Sequence, residues 1–474
     1  MKLFVLIVED EVEWLEELRQ ALAELAGTTA VHVANSRETA FAYLDNEFFD
    51  LILLDLKIPT IDGSLDADPA HGHAVFARAR ARAPGTPIFV FTGSPAEDFI
   101  PAMLQQQQQV DIWGKGRKTG SIEFLKKIKF DELPGKLVRI AASVHALSDV
   151  ELDRGGIDLT IQEDRLIRIF AKRFDGTHCA VSRLGGGLSG AKVYRLRVKD
   201  AGGACIHDAV AKLGSPEEIR DEATRFDDYV CRLDPGVTPR KLATLDFGAG
   251  AVAGVFYGLA GTFDASAFNA AFEQGGRAAA VIGRIERAIS PWSAGVPQTR
   301  RTIAVLRQRV LSDEAANRVI DFYGLEWARS FEAINIQTRW ACIHGDLHGN
   351  NVLVSADGSI ALIDYGDVGV GSVSLDPITL ELSLIFHPQK PALHGWPTLD
   401  QARQWGSLDS YLVGCPVSEF VSACRAWSDH IAAGQREVAA AAYSYLLRQL
   451  KYRDTNKELV LALLSGVKRH YDET

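Results

Sequence analysis

The chain has few cysteines, no long apolar run and no cluster of basic residues. Its six cysteines form no C-x-x-C pair and show no regular spacing, which argues against a zinc site or a disulfide framework and favours reduced thiols. No stretch reaches the roughly eighteen apolar residues of a membrane span, and the apolar start runs directly into Glu9 and Asp10, so we expect a strand there and no signal sequence. A formal charge of -10 without a basic stripe argues against nucleic-acid binding. These absences predict a cytoplasmic protein with no membrane or nucleic-acid partner.

The chain does contain enough apolar sequence for large cores. It has 474 residues, of which 47% are hydrophobic, and this is sufficient for two or three packed domains.

The first 130 residues alternate strand-like apolar runs with amphipathic stretches at helical spacing. This rhythm predicts an α/β domain with a doubly wound parallel sheet of the flavodoxin-like type. Functional side chains gather at the carboxyl ends of the strands in such sheets. The residues at or after the predicted strand ends are Glu9, Asp10, Asp55, Thr92 and Lys115, the last of which follows a short apolar segment at 110–112.

These strand-end residues suit the binding of a phosphoryl group. Carboxylates that lie together repel one another unless a hard divalent ion such as Mg²⁺ binds between them. With the metal bound, Asp55 can accept a phosphoryl group as a nucleophile, and the Thr92 hydroxyl and Lys115 ammonium can contact its oxygens. The motifs VEDE at 8–11, LDLKIP at 54–59 and FTG at 91–93 make this part of the chain resemble a response-regulator receiver domain.

The resemblance assigns a role to each of these residues. It implies that Glu9, Asp10 and Asp55 hold Mg²⁺ and that Asp55 is the phosphoacceptor. Thr92 is then the receiver switch hydroxyl, and Lys115 is the phosphate-sensing amine. The implied partner is a sensor histidine kinase or another phosphodonor, as in two-component signalling. Two alternatives stay open: Lys118 in place of Lys115, and a flavodoxin-like domain whose acidic strand ends are only solvated.

A second motif begins at His344 and reads HGDLHGNNVL, and Asp364 follows thirteen residues after Asn351. Phosphoryl transfer from a nucleotide needs one carboxylate to orient the attacking hydroxyl, and a second carboxylate with an amide oxygen to hold Mg²⁺. Asp346, Asp364 and Asn351 supply this set. Apolar runs on both sides of the turn at 356–358 predict a hairpin that brings Asn351 and Asp364 into one cleft.

A glycine cluster at 185–190 lies between two strand-like runs. Glycine lets the backbone N–H groups approach phosphates closely. The cluster nearly fits a Walker A motif, but Ala191 comes before Lys192 and no Ser or Thr follows, so a P-loop is disfavoured. Taken alone, the cluster favours a tight turn over a phosphate loop, since glycine marks tight turns generally.

Lys212 lies on a predicted strand in an apolar context, and a predicted helix after it carries Glu222 as an ion-pair partner, with Glu218 as the alternative. A lysine at this position would hold the phosphates of ATP. The competing interpretation of Lys212 is an edge-strand lysine that discourages sheet pairing.

The order of glycine loop, strand lysine, helix glutamate, His-Gly-Asp-x-x-x-x-Asn and strand-end aspartate resembles the kinase-like fold, specifically its aminoglycoside and choline phosphotransferase branch. The resemblance implies ATP and Mg²⁺ as cofactors. Asp346 is then the catalytic base, and Asn351 and Asp364 are the Mg²⁺ ligands. The residues that it assigns to ATP binding are Gly186, Gly187, Ser189, Lys212 and Glu222.

Three further residues near the motif have implied supporting roles. His344 is expected to brace the loop, His348 to lie exposed or behind the ligands, and Asp376 to anchor the loop that follows Asp364. Asp376 comes twelve positions after Asp364, which leaves little room for the long segment on which protein kinases bind peptides. This spacing favours a small hydroxylated or amino substrate and does not exclude a protein substrate.

The predicted organisation is a receiver domain at 1–130, a helical connector at 131–158, a kinase-like N-lobe at 159–262 and a C-lobe with a helical insertion at 263–474. The predicted function is ATP-dependent phosphorylation of a small molecule, regulated by phosphorylation of Asp55. The alternative is a kinase-fold scaffold or a protein kinase that acts as a phosphorylation-controlled switch in bacterial signalling or defence. The acceptor, small molecule or protein, and homodimer formation are left open.

Overall fold

The computed structural model describes residues 1–27, 29–93, 103, 105, 107–114, 118–184, 192–259, 263–272, 277–386 and 393–474. The chain divides into two compact units, Met1–Arg220 with Lys241–Leu259, and Asp221–Arg240 with Ala260–Thr474. No helix within the described ranges combines the length and apolar character that a bilayer crossing requires. The domain boundaries at 130, 158 and 262 stay predictions.

The first unit begins with a five-stranded parallel sheet of order β2-β1-β3-β4-β7. Its strands are short apolar runs, and those at its centre are buried on both faces, as in a doubly wound sheet. The predicted fold class of this part is confirmed. The elements are β1 Leu3–Val8, α1 Val12–Ala23, β2 Thr29–Ala34, α2 Arg37–Asn46, β3 Leu51–Leu54, α3 Pro69–Arg82, β4 Ile88–Thr92, β5 Gln109–Val110, β6 Thr119–Gly120 and β7 Ile122–Lys126.

A six-stranded mixed sheet follows in the same unit, with order β12-β13-β11-β10-β9-β8. Two amphipathic helices, α4 and α5, precede its main antiparallel strands. The elements are α4 Leu133–His145, β8 Glu151–Asp153, α5 Ile161–Arg173, β9 His178–Arg183, β10 Lys192–Lys199, β11 Cys205–Gly214, α6 Pro216–Asp228, β12 Arg240–Leu245 and β13 Ala253–Gly258. Helix α6 crosses the division between the units. Short 3₁₀ turns lie at Lys127–Glu132, Ala146–Asp149 and Val230–Arg232.

One apolar core joins the two sheets of the first unit. It contains Leu18 of α1, Leu137 of α4 and Phe170 of α5, and Phe170 stacks on Phe256 of β13 at a centroid distance of 4.2 Å. The loop before β4 also pairs with the β12–β13 turn. The Gly85 N–H donates to the Gly250 carbonyl, and the Gly85 carbonyl accepts from the Gly248 N–H, both at 2.9 Å. The parallel sheet is therefore packed against the mixed sheet and not merely tethered to it.

The second unit is mostly helical, with two three-stranded sheets of order β14-β17-β18 and β15-β16-β19. Its elements are β14 Phe263–Ser266, α7 Ala267–Phe272, α8 Arg277–Ser293, β15 Gln298–Thr302, α9 Ile303–Gln308, α10 Asp313–Tyr323, α11 Trp327–Glu332, β16 Asn335–Ile343, β17 Val352–Ser355, β18 Ile360–Leu362, β19 Gly369–Ser372, α12 Leu375–Phe386, α13 Leu399–Arg403, α14 Leu408–Tyr411, α15 Ser418–Ile431, α16 Gln435–Gln449 and α17 Lys457–Glu473. Helix α12 is apolar almost all round and is buried by α15 and α16.

Candidate functional site

The carboxyl ends of strands β1 and β3 bring three carboxylates together. β1 ends at Val8 and β3 at Leu54, so Glu9, Asp10 and Asp55 follow neighbouring parallel strands. One oxygen from each of the three lies within 4.8 Å of the others. Glu9 is fully buried and Asp55 is 4% exposed. Oxygen donors at this spacing suit a hard divalent cation such as Mg²⁺.

The positive charge in this acidic pocket is Lys127. Its Nζ lies 2.8 Å from Asp55 Oδ2 and 2.8 Å from Glu9 Oε2, and it sits above the Trp14 ring at 5.2 Å. Burial lowers the pKa of this ammonium, but its ion pairs with Asp55 and Glu9 outweigh burial and raise the pKa above its usual value. The ammonium therefore stays charged beside the carboxylate that is predicted to be phosphorylated.

The sequence prediction missed Lys127 because it did not include β7, the strand that directly precedes this lysine. The segment 110–112 is not a strand of the parallel sheet: Val110 pairs antiparallel with Thr119, and the strand beside β4 is β7. The signal that was available is the run IEFLK of β7 immediately before Lys127. Lys115 lies outside the described residues. The strand partner of Thr92 is Lys126, and the switch role of Thr92 stays a prediction.

Burial raises the pKa of each carboxylate in the acidic pocket. Burial raises the pKa of Glu9 to about 7, with a further rise from the Asp55 charge, while Lys127 opposes both effects. Burial also raises the pKa of Asp10 and of Asp55. Glu9 is therefore partly protonated near neutral pH, and a cation that binds its carboxylate must displace that proton.

We expect Mg²⁺ binding to the acidic pocket to release a proton from Glu9. Below pH 7 the buried carboxyl is protonated in the metal-free protein, so the affinity for Mg²⁺ should rise with pH by up to about tenfold per unit until pH 7. Calorimetric titration without nucleotide, in two buffers of different ionisation enthalpy, measures the released protons. Glu9→Gln should abolish the release and Glu13→Gln, on the exposed face of α1, should not. A release that Glu9→Gln leaves unchanged contradicts the assignment.

The loop after β16 in the second unit holds Asp346. The Asp376 carboxylate at the start of α12 accepts the backbone N–H groups of His344 at 2.8 Å and Gly345 at 2.9 Å. His344 Nε2 contacts the Ile363 carbonyl at 3.1 Å, which ties this loop to the strand end that precedes Asp364. Gly345 has φ +83°, and a Cβ there would lie 2.3 Å from the Asp367 carbonyl oxygen, so only glycine fits. His344 and Asp376 thus brace the loop.

The predicted hairpin is confirmed and brings the metal-ligand candidates to its open end. β17 and β18 pair with Val352 opposite Leu362, and Ile363 N–H donates to the Asn351 carbonyl at 3.0 Å. The Asn351 side-chain amide donates to the Asp346 carbonyl at 2.9 Å. Asp364 has φ +67°, a strained backbone conformation of the kind that functional sites retain.

His348 lies among these groups. Burial lowers its pKa, and the carboxylates of Asp346 and Asp364 oppose that effect by their charge. Its Nε2 is 3.7 Å from Asp346 Oδ2. The His348 ring therefore lies beside the second carboxylate oxygen of Asp346.

Arg448 of α16 pairs with Asp346, and sequence reasoning did not single it out. Its Nη1 donates to Asp346 Oδ1 at 3.1 Å, and its Nε donates to the Tyr452 hydroxyl at 3.0 Å. The side chain is 17% exposed. One carboxylate oxygen of Asp346 is therefore held by the guanidinium and the other faces His348. No local pattern marks Arg448, because the contact joins residues far apart in the chain.

The nucleotide-site candidates of the first unit lie on its mixed sheet. Lys212 lies on β11, which pairs with β10 through Val193 and with β13 through Val255, so the edge-strand interpretation is wrong. Lys212 is 8% exposed. Gly186, Gly187 and Ser189 fall outside the described residues.

The two glutamates that were considered as partners of Lys212 have different surroundings. Glu218 and Ser215 exchange hydrogen bonds in a capping box at the start of α6, which gives Glu218 a local role. Glu222, on the same helix in the part that belongs to the second unit, is 1% exposed. Its pairing with Lys212 stays a prediction.

Comparisons with known families match both parts of the chain. Residues 5–112 match the response regulator receiver domain, and residues 180–394 match the phosphotransferase enzyme family. The chain joins a receiver domain to a phosphotransferase-family domain. Both resemblances predicted from the sequence motifs are therefore confirmed. No curated protein matches the chain.

Solved structures resemble each part separately. A receiver domain protein from Methanospirillum hungatei JF-1 is 21% identical over 30% of this chain and 98% of its own, with a TM-score of 0.22. The phosphorylated cyanobacterial phytochrome response regulator RcpA is 23% identical over 30% of this chain and 91% of its own, with a TM-score of 0.22. The GDP and kanamycin complex of APH(2")-IIia is 14% identical over 62% of this chain and 93% of its own, with a TM-score of 0.36.

Proposed function

We propose that the receiver–phosphotransferase chain transfers the γ-phosphoryl group of ATP to a small hydroxylated acceptor, and that phosphorylation of Asp55 controls this activity. The observation that carries the proposal is the single braced loop and hairpin that hold Asp346 and Asn351 in contact and place Asp364 directly after the paired strands. These are the groups that phosphoryl transfer requires.

In the proposed reaction, Asp346 orients the acceptor hydroxyl and takes its proton while the oxygen attacks. Arg448 holds Oδ1 of this carboxylate, which leaves Oδ2 for the acceptor. Asn351 and Asp364 have the oxygen donors that Mg²⁺ prefers, and Lys212 is the phosphate-binding cation. When bound, Mg²⁺ neutralises the charge of the phosphates. Because Asp346 acts on the acceptor hydroxyl and not on the nucleotide, removal of its carboxylate should slow the transfer and leave nucleotide binding in place.

In the receiver domain, the proposed phosphoacceptor is Asp55. Its carboxylate oxygen attacks the phosphorus of a phosphodonor, such as a sensor histidine kinase, and the donor leaves. Lys127, already in contact with Asp55, takes the role that the sequence motif assigned to Lys115, and pairs with the phosphoryl oxygens. Glu9 and Asp10 complete the Mg²⁺ site.

Helix α5 supports a route from the receiver to the nucleotide-binding strands. Near its start, the Glu163 carboxylate pairs with Lys192 at 2.8 Å, and Lys192 opens β10 directly after the glycine-rich segment. Two residues further on, the buried Arg165 pairs with Asp50 of the receiver at 2.9 Å. A rigid helix held at both places would convey a displacement of the receiver to the strand that follows the glycines.

The proposed function predicts Mg²⁺-dependent turnover of ATP that changes when the receiver carries a phosphoryl mimic. ADP release should be measured with the full chain over aminoglycosides, amino alcohols, sugars and nucleosides, with and without beryllofluoride. We expect at least about a fivefold difference between the two conditions. Nucleotide binding without any turnover would reject the enzyme and favour a scaffold, and labelled phosphate found on protein would indicate a protein kinase.

A matched pair of variants tests the α5 route. Lys192→Met removes the Glu163 contact and should reduce the effect of beryllofluoride on ATP affinity at least by half. Lys199→Met, an exposed lysine at the other end of β10, should leave the effect intact. Equal responses in both variants would exclude this route while leaving the phosphotransferase assignment standing.

A further inference from the structure

We propose that Arg448 determines acceptor specificity, and that the acceptor is a hydroxy compound with a carboxylate or phosphate group a few bonds from the hydroxyl that is phosphorylated. This inference rests on the proposed phosphotransferase function, because it concerns the acceptor side of Asp346.

The guanidinium of Arg448 has donors to spare beside the catalytic base. Nη1 donates to Asp346 and Nε donates to Tyr452. Nη2 makes no hydrogen bond to any residue of the ranges that the structure describes. A planar guanidinium binds an oxyanion with paired N–H groups, and its five donors have fixed directions. An anion on the remaining donors would therefore lie next to Asp346.

Burial makes this arrangement selective. The Arg448 side chain is 17% exposed, so its charge is only partly screened by water. The net effect on its pKa is a rise: burial lowers it, but Asp346 and Tyr452 outweigh burial, so the guanidinium stays charged. A cationic group of an acceptor would meet like charge at this position, while an anionic group would meet an opposite charge.

The segment that contains Arg448 is basic in an acidic protein. Residues 448–457 contain four basic side chains and one acidic one, whereas the whole chain has a net charge of -10. Lys457 closes this segment, and its Nζ donates to the carbonyls of Gln449, at 3.2 Å, and Tyr452. A local positive potential steers anionic ligands toward the site and disfavours polycations.

The fork geometry also limits the acceptor. The anionic group of the acceptor would bind Arg448, and the hydroxyl of the acceptor would bind Asp346 Oδ2. Arg448 and Asp346 are in contact, so the two groups of the acceptor must lie close together. The hydroxyl is then close in the covalent structure to the anionic group, as in a hydroxy acid or a hydroxyalkyl phosphate. In the transfer, the new P–O bond forms at that hydroxyl, the bond between the γ-phosphorus and ADP breaks, and the hydroxyl proton passes to Asp346.

Matched acceptors test the proposal with the full chain, MgATP and an ADP-release assay corrected for hydrolysis by water. The pairs are D-glycerate with glycerol, and glycerol 3-phosphate with glycerol, while ethanolamine and kanamycin serve as cationic probes. We expect kcat/KM for the anionic members to exceed that of the neutral ones at least tenfold. We also expect the anionic members to compete with one another.

Variants separate recognition from a merely structural contact. Arg448→Met should reduce the anionic-to-neutral ratio at least tenfold, with the KM for MgATP within twofold of the parent. Arg448→Lys should restore part of the ratio, because it returns the charge without the fork. Arg453→Met, which removes an exposed charge of the same segment, should lower the ratio at most about twofold, so a tenfold loss in Arg448→Met reports on its guanidinium and not on the charge of the segment.

Two outcomes would overturn the inference. One is a preference of the parent for neutral or cationic members, or a ratio that Arg448→Met does not change. The other is MgATP hydrolysis that no anionic probe inhibits or diverts. Absence of any MgATP turnover would instead reject the proposed function itself, so the two failures are distinguishable.

Discussion

Asp346→Asn is expected to lower kcat for phosphoryl transfer by about 10³-fold while MgATP still binds. The amide cannot take the proton of the acceptor hydroxyl. The substitution is otherwise mild, because the bond from the Asn351 side chain reaches the backbone carbonyl of residue 346 and does not depend on the carboxylate. The amide oxygen can also still accept from Arg448. The loop should therefore keep its conformation, and the loss should be chemical.

Turnover and nucleotide affinity, measured on the same preparations, check this expectation. Asp367→Asn is the matched control: it lies three residues after Asp364, and its side chain is exposed. It should retain nearly full activity. Parental turnover in Asp346→Asn would refute the assignment of the base, and equal losses in both variants would point to general damage of the loop.

Arg165→Met is expected to cost about 3–5 kcal/mol of stability in the first unit. Arg165 and Asp50 are 1% and 2% exposed and form an ion pair at 2.9 Å, and Arg165 also donates to the Lys2 carbonyl. Removal of the guanidinium leaves a buried carboxylate whose pKa burial already raises. An uncompensated buried charge is far more costly than the loss of a surface pair.

Hydrogen exchange of the α5 and β1 amides at increasing urea concentration measures this loss locally. Lys172→Met, on the same helix, removes a pair with the half-exposed Asp149 and should cost under about 1 kcal/mol. Asp50→Asn combined with Arg165→Met removes both charges and keeps an acceptor for Phe4 N–H, so the double variant should be more stable than Arg165→Met alone. A double variant that is less stable would show that the charge is not the cause.

The Arg165–Asp50 pair also bears on the proposed route through helix α5. Arg165 belongs to the helix whose start contacts Lys192, and Asp50 belongs to the receiver. A loss of stability at Arg165 should therefore appear together with a loss of the beryllofluoride effect, if α5 is the route between them. Hydrogen exchange and the beryllofluoride effect therefore test the role of helix α5 by two independent measurements.

Much of both sites could be predicted from local sequence. The acidic pocket follows from apolar runs that end in Glu9, Asp10 and Asp55, because parallel strands place their carboxyl ends at one edge of a sheet. The hairpin after Asn351 follows from two apolar runs and a turn, and the structure has it. The strand with Lys212 was also predicted correctly, and only its neighbours show that it lies inside the sheet.

The sequence by itself determined the chemistry: which carboxylates, amides and lysines the chain offers, and which strands and turns present them. The tertiary structure decided which distant groups complete them. Lys127 meets Asp55 across 72 residues, Arg448 meets Asp346 across 102, and Arg165 meets Asp50 across 115. Local periodicity reports on neighbours within a turn or a strand. Such contacts form only when separate elements pack, and packing depends on the burial of whole helix and sheet faces.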